Sequence, residues 1–188
     1  MKLRLLVPVA LVASLTVLAL AGCQAISPAP ASSSATSGSP TTAVLPVKSD
    51  PIVNTSTAPG LTIVSAAAED NVDPITNAAI DDRLQVTVRN DTTNELSTFE
   101  IYYVMKDVTT GRSEAYYQAL TWFTLAAGAT STLSFDGESD PGHFPENTFS
   151  LYRSSKNQVD FTIEVSAAGV QVASATATKG SGAGDATD

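Results

Sequence analysis

Between Thr98 and Lys106 the chain alternates. Phe99, Ile101, Tyr103 and Met105 fall on one side, and Thr98, Glu100, Tyr102 and Lys106 on the other. A period of two places the first set on the buried face of a strand and the second toward solvent. The segment D-V-T-T-G-R that follows carries turn chemistry, with Gly111 free to adopt a positive φ. A second aromatic run then passes through Tyr116, Tyr117, Trp122 and Phe123. The pattern over residues 97–125 predicts a long hairpin at the centre of the fold.

The same reading extends in both directions. Residues 61–65, L-T-I-V-S, predict a short first strand, and residues 83–89 alternate with Leu84, Val86 and Val88 inward. Leu133 and Phe135 face inward from residues 130–135, and Phe161, Ile163 and Val165 do so from residues 159–166. Residues 170–177 predict a closing strand, and Phe149 with Leu151 marks a short one before it. Polar turn signals separate these runs at residues 90–95, 125–128, 136–145 and 167–169. A long acidic connection covers residues 66–82. No apolar period of 3.6 persists, and only residues 75–80 have the pattern for one helical turn. Seven to nine short strands with regular turn signals predict an all-β fold, an antiparallel β-sandwich. The chain has one cysteine, so it lacks the Cys…Trp…Cys spacing of antibody domains and forms no internal disulfide.

Composition changes outside residues 61–179. Lys2 and Arg4 precede an almost wholly apolar run over residues 5–20, the layout of a secretory signal. At 16 residues, interrupted by Pro8, that run is short for a spanning helix. Residues 23–60 are rich in Ser, Thr, Pro and Ala, with too little apolar surface to offset the entropy of ordering them. They predict a disordered tether with an end-to-end distance of about 30–35 Å. Its Ser/Thr/Pro content also fits an O-glycosylated stalk. Residues 180–188 predict a frayed tail. Beyond Lys2 and Arg4 the chain carries 8 basic against 19 acidic side chains, a formal charge of −11. That balance excludes nucleic acid as a partner and excludes docking on anionic lipid through a basic patch.

Leu20-Ala21-Gly22-Cys23 resembles the lipobox of bacterial lipoproteins at all four positions. The resemblance implies a signal peptide over residues 1–22, cleavage before Cys23 and acylation of the Cys23 thiol. It further implies a membrane partner through that lipid and an extracytoplasmic location. The Ala-rich chain with this tether is similar to actinobacterial lipoproteins. The segment V-R-N-D-T-T-N-E-L-S-T-F-E-I-Y-Y, with Asn90 before a polar turn and Leu96-x-x-Phe99-x-x-Tyr102, resembles the FxLYD-like immunoglobulin-fold modules of such lipoproteins. It implies an immunoglobulin-like sandwich at the cell surface and brings no catalytic residues.

Candidate chemistry is sparse. His143 is the one histidine, in a Pro-Gly-His-Phe-Pro loop, and no G-x-S-x-G elbow supplies a nucleophile. The sequence therefore predicts a protein that is not an enzyme and has no cofactor. Two acidic loops, Glu69-Asp70-Asn71-x-Asp73 and the one with Asp136, Glu138 and Asp140, offer the closely spaced oxygens that Ca²⁺ requires, without EF-hand spacing. Solvated loop charge is the alternative. Tyr102, Tyr116, Tyr117 and Trp122 are a candidate binding face, able to stack on a glycan or anchor an envelope protein; the alternative is that they complete the second face of the sandwich or cover its edge. The expected function is a non-catalytic binding or structural module of the cell envelope. The alternative is a lipoprotein that binds a sugar, a peptide or Ca²⁺ through the 136–145 loop or the Tyr/Trp face.

Overall fold

The computed structural model describes residues 44–69 and 84–182. In chain order its elements are β1 (Leu61–Ala68), β2 (Leu84–Asn90), β3 (Phe99–Asp107), β4 (Ser113–Leu120), β5 (Thr130–Phe135), β6 (His143–Phe144), α1 (Leu151–Ser154), β7 (Val159–Ser166) and β8 (Ala173–Lys179). They form two four-stranded sheets, ordered β1-β2-β5-β6 and β4-β3-β7-β8. Every pairing is antiparallel except β5 with β6. This is a β-sandwich.

Period two decides which face is buried. Leu84, Val86, Val88, Phe99, Ile101, Tyr103, Met105, Leu133, Phe135, Phe161, Ile163 and Val165 are all buried. Each such side chain contributes roughly 1.5–3 kcal/mol on burial, so the alternation outweighs weak local propensities. Aromatic contacts join the sheets: Tyr103 lies 6.0 Å from Phe135, and Phe123, just beyond β4, meets Phe144 of β6 edge-on at 6.3 Å. β1 and β8 lie against one another at one margin of the sandwich. At the other, Gln118 Nε2 on β4 donates to Pro145 O just beyond β6 at 2.9 Å.

Several expectations need correction. The hairpin is real, but β4 is an edge strand; only β3 is central, flanked by β4 and β7. Trp122 and Phe123 lie beyond the end of β4. The strand expected at Phe149 and Leu151 is instead the single turn α1. Ser150 caps it by accepting from Arg153 N, while Leu151 and Tyr152 are buried and Phe149 points outward. Two buried neighbours in sequence cannot both face one side of a strand, but they fit one face of a helical turn. Within the 136–145 loop, His143 and Phe144 pair in parallel with Ser134 and Phe135. The expectations for the leader, for Cys23 and for residues 75–80 lie outside the described residues.

The tether reading ends at residue 60, yet residues 44–60 are fastened to the sandwich. Val47 N donates to Ala115 O on the edge of β4 at 2.8 Å. Asn54 Nδ2 donates to Ser166 Oγ at 2.9 Å and to Val170 O at 2.9 Å. Gln171 N donates to Ala58 O at 2.7 Å. Gly60 then passes so close to the domain that an added Cβ would sit 2.4 Å from Thr92 Cγ2 and 2.8 Å from Val170 Cγ1. Such a strap is held by hydrogen bonds rather than by a greasy stripe, so its composition resembles that of a linker.

Two polar groups pin the crossings between sheets. Asn90 is fully buried at the end of β2. Its Nδ2 donates to Asn94 O at 2.7 Å, Leu125 O at 2.8 Å and Ala126 O at 3.1 Å, and its Oδ1 accepts from Thr92 N and Thr92 Oγ1. Asp107, buried at the end of β3, accepts from Thr109 N, Thr110 N, Ser155 Oγ and Asn157 Nδ2 at 2.7–2.9 Å.

Asn90→Ala leaves buried carbonyls without donors, and is expected to cost about 2–4 kcal/mol, read as a lower urea midpoint at unchanged slope. Asp107 gives a pH test. The Thr110 amide, then the Asn157 and Ser155 donors, hold its carboxyl well below the usual carboxylate range. Its stabilisation is therefore complete above the unfolded value of about 4 and is lost as pH falls through the lower folded value. Asp107→Asn should be less stable than wild type at pH 7, and the gap in melting temperature should narrow below about pH 4.

Candidate functional site

The hairpin's open end is built by a mismatch in chain length. Leu96 and Leu125 exchange backbone hydrogen bonds at 2.9 Å, and regular pairing begins at Phe99 opposite Leu120. Between these two points, residues 97–98 oppose residues 121–124. Two residues cannot run parallel to four, so the longer side bulges. Phe123 turns in against Phe99 and Phe144, which sends Trp122 out: its side chain is 98% exposed. Thr98 and Trp122 take left-handed backbone conformations, at φ 56° and 74°. Each costs on the order of 1–3 kcal/mol for a residue other than glycine.

The bulge frames an open cleft of about 400 Å³. Phe99, Leu120 and Phe123 give its apolar floor, and Ser97, Thr98, Thr121 and Thr124 its hydroxyl rim. Glu100 is the one charged residue lining it. A second cleft of about 430 Å³ adjoins it through Thr98 and Glu100 and runs under the strap, past Thr55, Ser56 and Ser166. Among the described residues, no lysine or arginine lines either.

The four aromatics expected to share one face do not. Tyr116 is a core residue, 1% exposed and stacked on Tyr103 at 5.6 Å, with its hydroxyl donating to Glu114 Oε2 at 3.0 Å. It follows the inward parity of β4, which its aromatic neighbour Tyr117 obscures in the sequence. Tyr102 and Tyr117 are half-buried partners across β3 and β4 on the outer face of their sheet. Tyr117 donates its hydroxyl to Glu100 Oε1 at 2.5 Å, and that bond, with burial, pushes the phenol up to about 12. Beside Tyr102, Glu164 has its carboxyl raised by burial and by Asp50 of the strap. Trp122 alone stands free in solvent. Sequence reasoning missed Thr98 and Glu100; the unequal spacing between Leu96, Phe99, Leu120 and Leu125 was the available signal.

The acidic loop also assembles differently. His143 Nδ1 lies 2.8 Å from Asp136 Oδ2 and 3.4 Å from Glu138 Oε2. These three side chains converge within 4.8 Å. Asp140 instead accepts the His143 amide through its backbone carbonyl at 3.0 Å, and its side chain is not in the cluster. One imidazole nitrogen with two carboxylates is a mixed donor set, whereas Ca²⁺ takes six to eight oxygens. His143 already satisfies Asp136, so the cluster fastens the loop by itself. Of the other acidic loop only Glu69 is described, and its carbonyl accepts the Tyr152 hydroxyl.

No protein-family model and no curated protein matches this sequence. Among solved structures the chain is similar to the sporulation control protein Spo0M of Bacillus subtilis, at 11% identity and a TM-score of 0.35, over 66% of this chain and 50% of that one. The chain thus spans half the length of that structure. Among the described residues, no helix is long and apolar enough to cross a membrane.

Trp122 tests whether the bulge serves folding. Glycine adopts the same φ freely but loses more backbone entropy on folding, about 0.5–1 kcal/mol. Trp122→Gly is therefore expected to fold with stability equal to wild type or up to about 1 kcal/mol higher, measured by circular dichroism in urea. A loss of 2 kcal/mol or more (on the order of a core truncation) would assign the indole a packing role.

Proposed function

We propose that this chain is a lipid-anchored, extracytoplasmic and non-catalytic binding module of the cell envelope. The observation that carries the binding reading is Trp122, held fully in solvent beside an open cleft in a left-handed backbone conformation. Large apolar side chains exposed beside a concave surface are the usual anchors of recognition.

The anchor reading is supported by the sequence. The single cysteine of the chain stands at the acylated position of Leu20-Ala21-Gly22-Cys23. Acyl chains contribute about 0.8 kcal/mol per buried CH₂, so two or three of them hold a protein at a bilayer without any basic patch. The acidic mature chain offers no such patch, and an acyl anchor makes one unnecessary. Residues 24–43 then serve as spacer, and residues 44–60 as the strap that joins spacer to sandwich.

The Cys23→Ser variant separates anchored from free protein. Wild type is expected to incorporate labelled palmitate and to enter the detergent phase on Triton X-114 partition; the variant should do neither. A variant that stays in the detergent phase would refute the anchor.

A further inference from the structure

We propose that the paired clefts at the bulge bind a neutral glycan chain, with one pyranose ring stacked on Trp122 and the next directed along Thr98 and Glu100 toward Thr55 and Ser56. The inference rests on the binding-module reading and gives that module its ligand class.

Three observations select a sugar. First, the lining is amphipathic in the way a pyranose is. The apolar floor of Phe99, Leu120 and Phe123 lies inside a rim of four hydroxyl residues, and an indole stands beside it. A pyranose has an apolar C–H face and a hydroxyl edge, so it can meet a ring and a polar rim together. Second, charge narrows the choice. Among the described residues Glu100 is the one charged group lining either cleft, and the mature chain carries −11 overall. Phosphate- or carboxylate-bearing polymers would meet like charge and no cation, whereas neutral hydroxyls can donate to Glu100. Third, the two clefts share Thr98 and Glu100, so a repeating ligand can fill both.

A protein partner fits less well. A stable interface covers about 800 Å² on each side around an apolar centre. Of the other exposed large apolar side chains, Val53 lines the second cleft, whereas Leu45, Val64, Val108 and Phe149 line neither. Beside Trp122 the apolar floor is recessed, with Phe99 and Leu120 buried, and Val53 is the one other exposed large apolar side chain lining the clefts among the described residues, too little for the centre of such a patch. Thr98 and Trp122, the two residues other than glycine with left-handed backbone among the described residues, both line this cleft.

Trp122 is the one tryptophan of the chain, so its emission reports on this site alone. The full mature protein, in a detergent without a sugar headgroup, is titrated with cellotetraose, maltotetraose and chitotetraose. The expected result is a saturable blue shift with at least one of them, and at least about a tenfold weaker co-sedimentation of Trp122→Gly with the matching insoluble polysaccharide. Emission unmoved by all three sugars, or equal co-sedimentation of the variant, overturns the glycan. A photo-crosslinking residue placed at position 122 in intact cells separates the two levels. If the sugars fail and it captures an envelope protein, the glycan assignment falls and the binding module stands. If the sugars fail and it captures nothing, both fall.

Discussion

The structure turns on one buried amide. Asn90 ends β2, and from there the chain must leave one sheet for the other; its Nδ2 donates to carbonyls on both crossings, Asn94 on the way to β3 and Leu125 and Ala126 on the way to β5. A fully buried carboxamide is tolerable only because nearly all of its hydrogen-bonding capacity is used. That saturation converts a cost into a constraint. Leu96 and Leu125, held together between the two crossings, fix where the sheets separate and how long the segments between bridge and hairpin must be. The two-against-four mismatch, the outward Trp122 and the cleft all follow from that anchor point. The shape of this end is thus a consequence of how the core is closed.

The opposite end of β3 shows the contrast. There Asp107 closes the β3–β4 turn through the amides of Thr109 and Thr110 and accepts from Ser155 and Asn157, while the fully buried Lys179 donates to Ser155 O at 2.5 Å. Polar groups are dense at both ends, yet these are spent on one another. Gly111 supplies the positive φ that the turn needs, so no bulky residue is forced into that conformation. One end of the hairpin is sealed with a glycine in the left-handed position, and the other is open with a threonine and a tryptophan there. The indole at 122 is 98% exposed, so burial does not account for a non-glycine residue in that conformation.

What could be read from the sequence followed the length scale of each cause. Alternation is local, so Leu84, Val86 and Val88, or Phe161, Ile163 and Val165, disclose their burial without knowledge of a partner strand. Asn54 could not disclose its role, because the carbonyls of Ala167 and Val170 that hold it lie more than a hundred residues away. A strap made of long-range hydrogen bonds has no period, and Ser, Thr and Pro look alike in a linker and on a sheet edge. Tyr116 stayed ambiguous for the reverse reason: it sits between residues of mixed character on an edge strand, where parity is blurred by Tyr117 and Gln118, both half-buried. Trp122 was visible as a residue and hidden as a site, since its exposure depends on Phe123 taking the inward place beside Phe99.

The strap adds a further constraint on the cleft. It runs from Val47, on the edge of β4, to Asn54 beside β7, and so crosses the outer face on which Tyr102, Tyr117 and Glu164 lie. There the Glu164 carboxyl is raised, by burial first and then by Asp50, which also hydrogen-bonds it. Past Asn54 the strap is pinned again, Ser56 Oγ donating to Gly169 O at 3.0 Å. Thr55 and Ser56 line the second cleft from this pinned stretch. The polar composition that marks residues 44–60 as a linker is, in the folded chain, what supplies the hydrogen bonds that fix the strap along the cleft shared with Glu100.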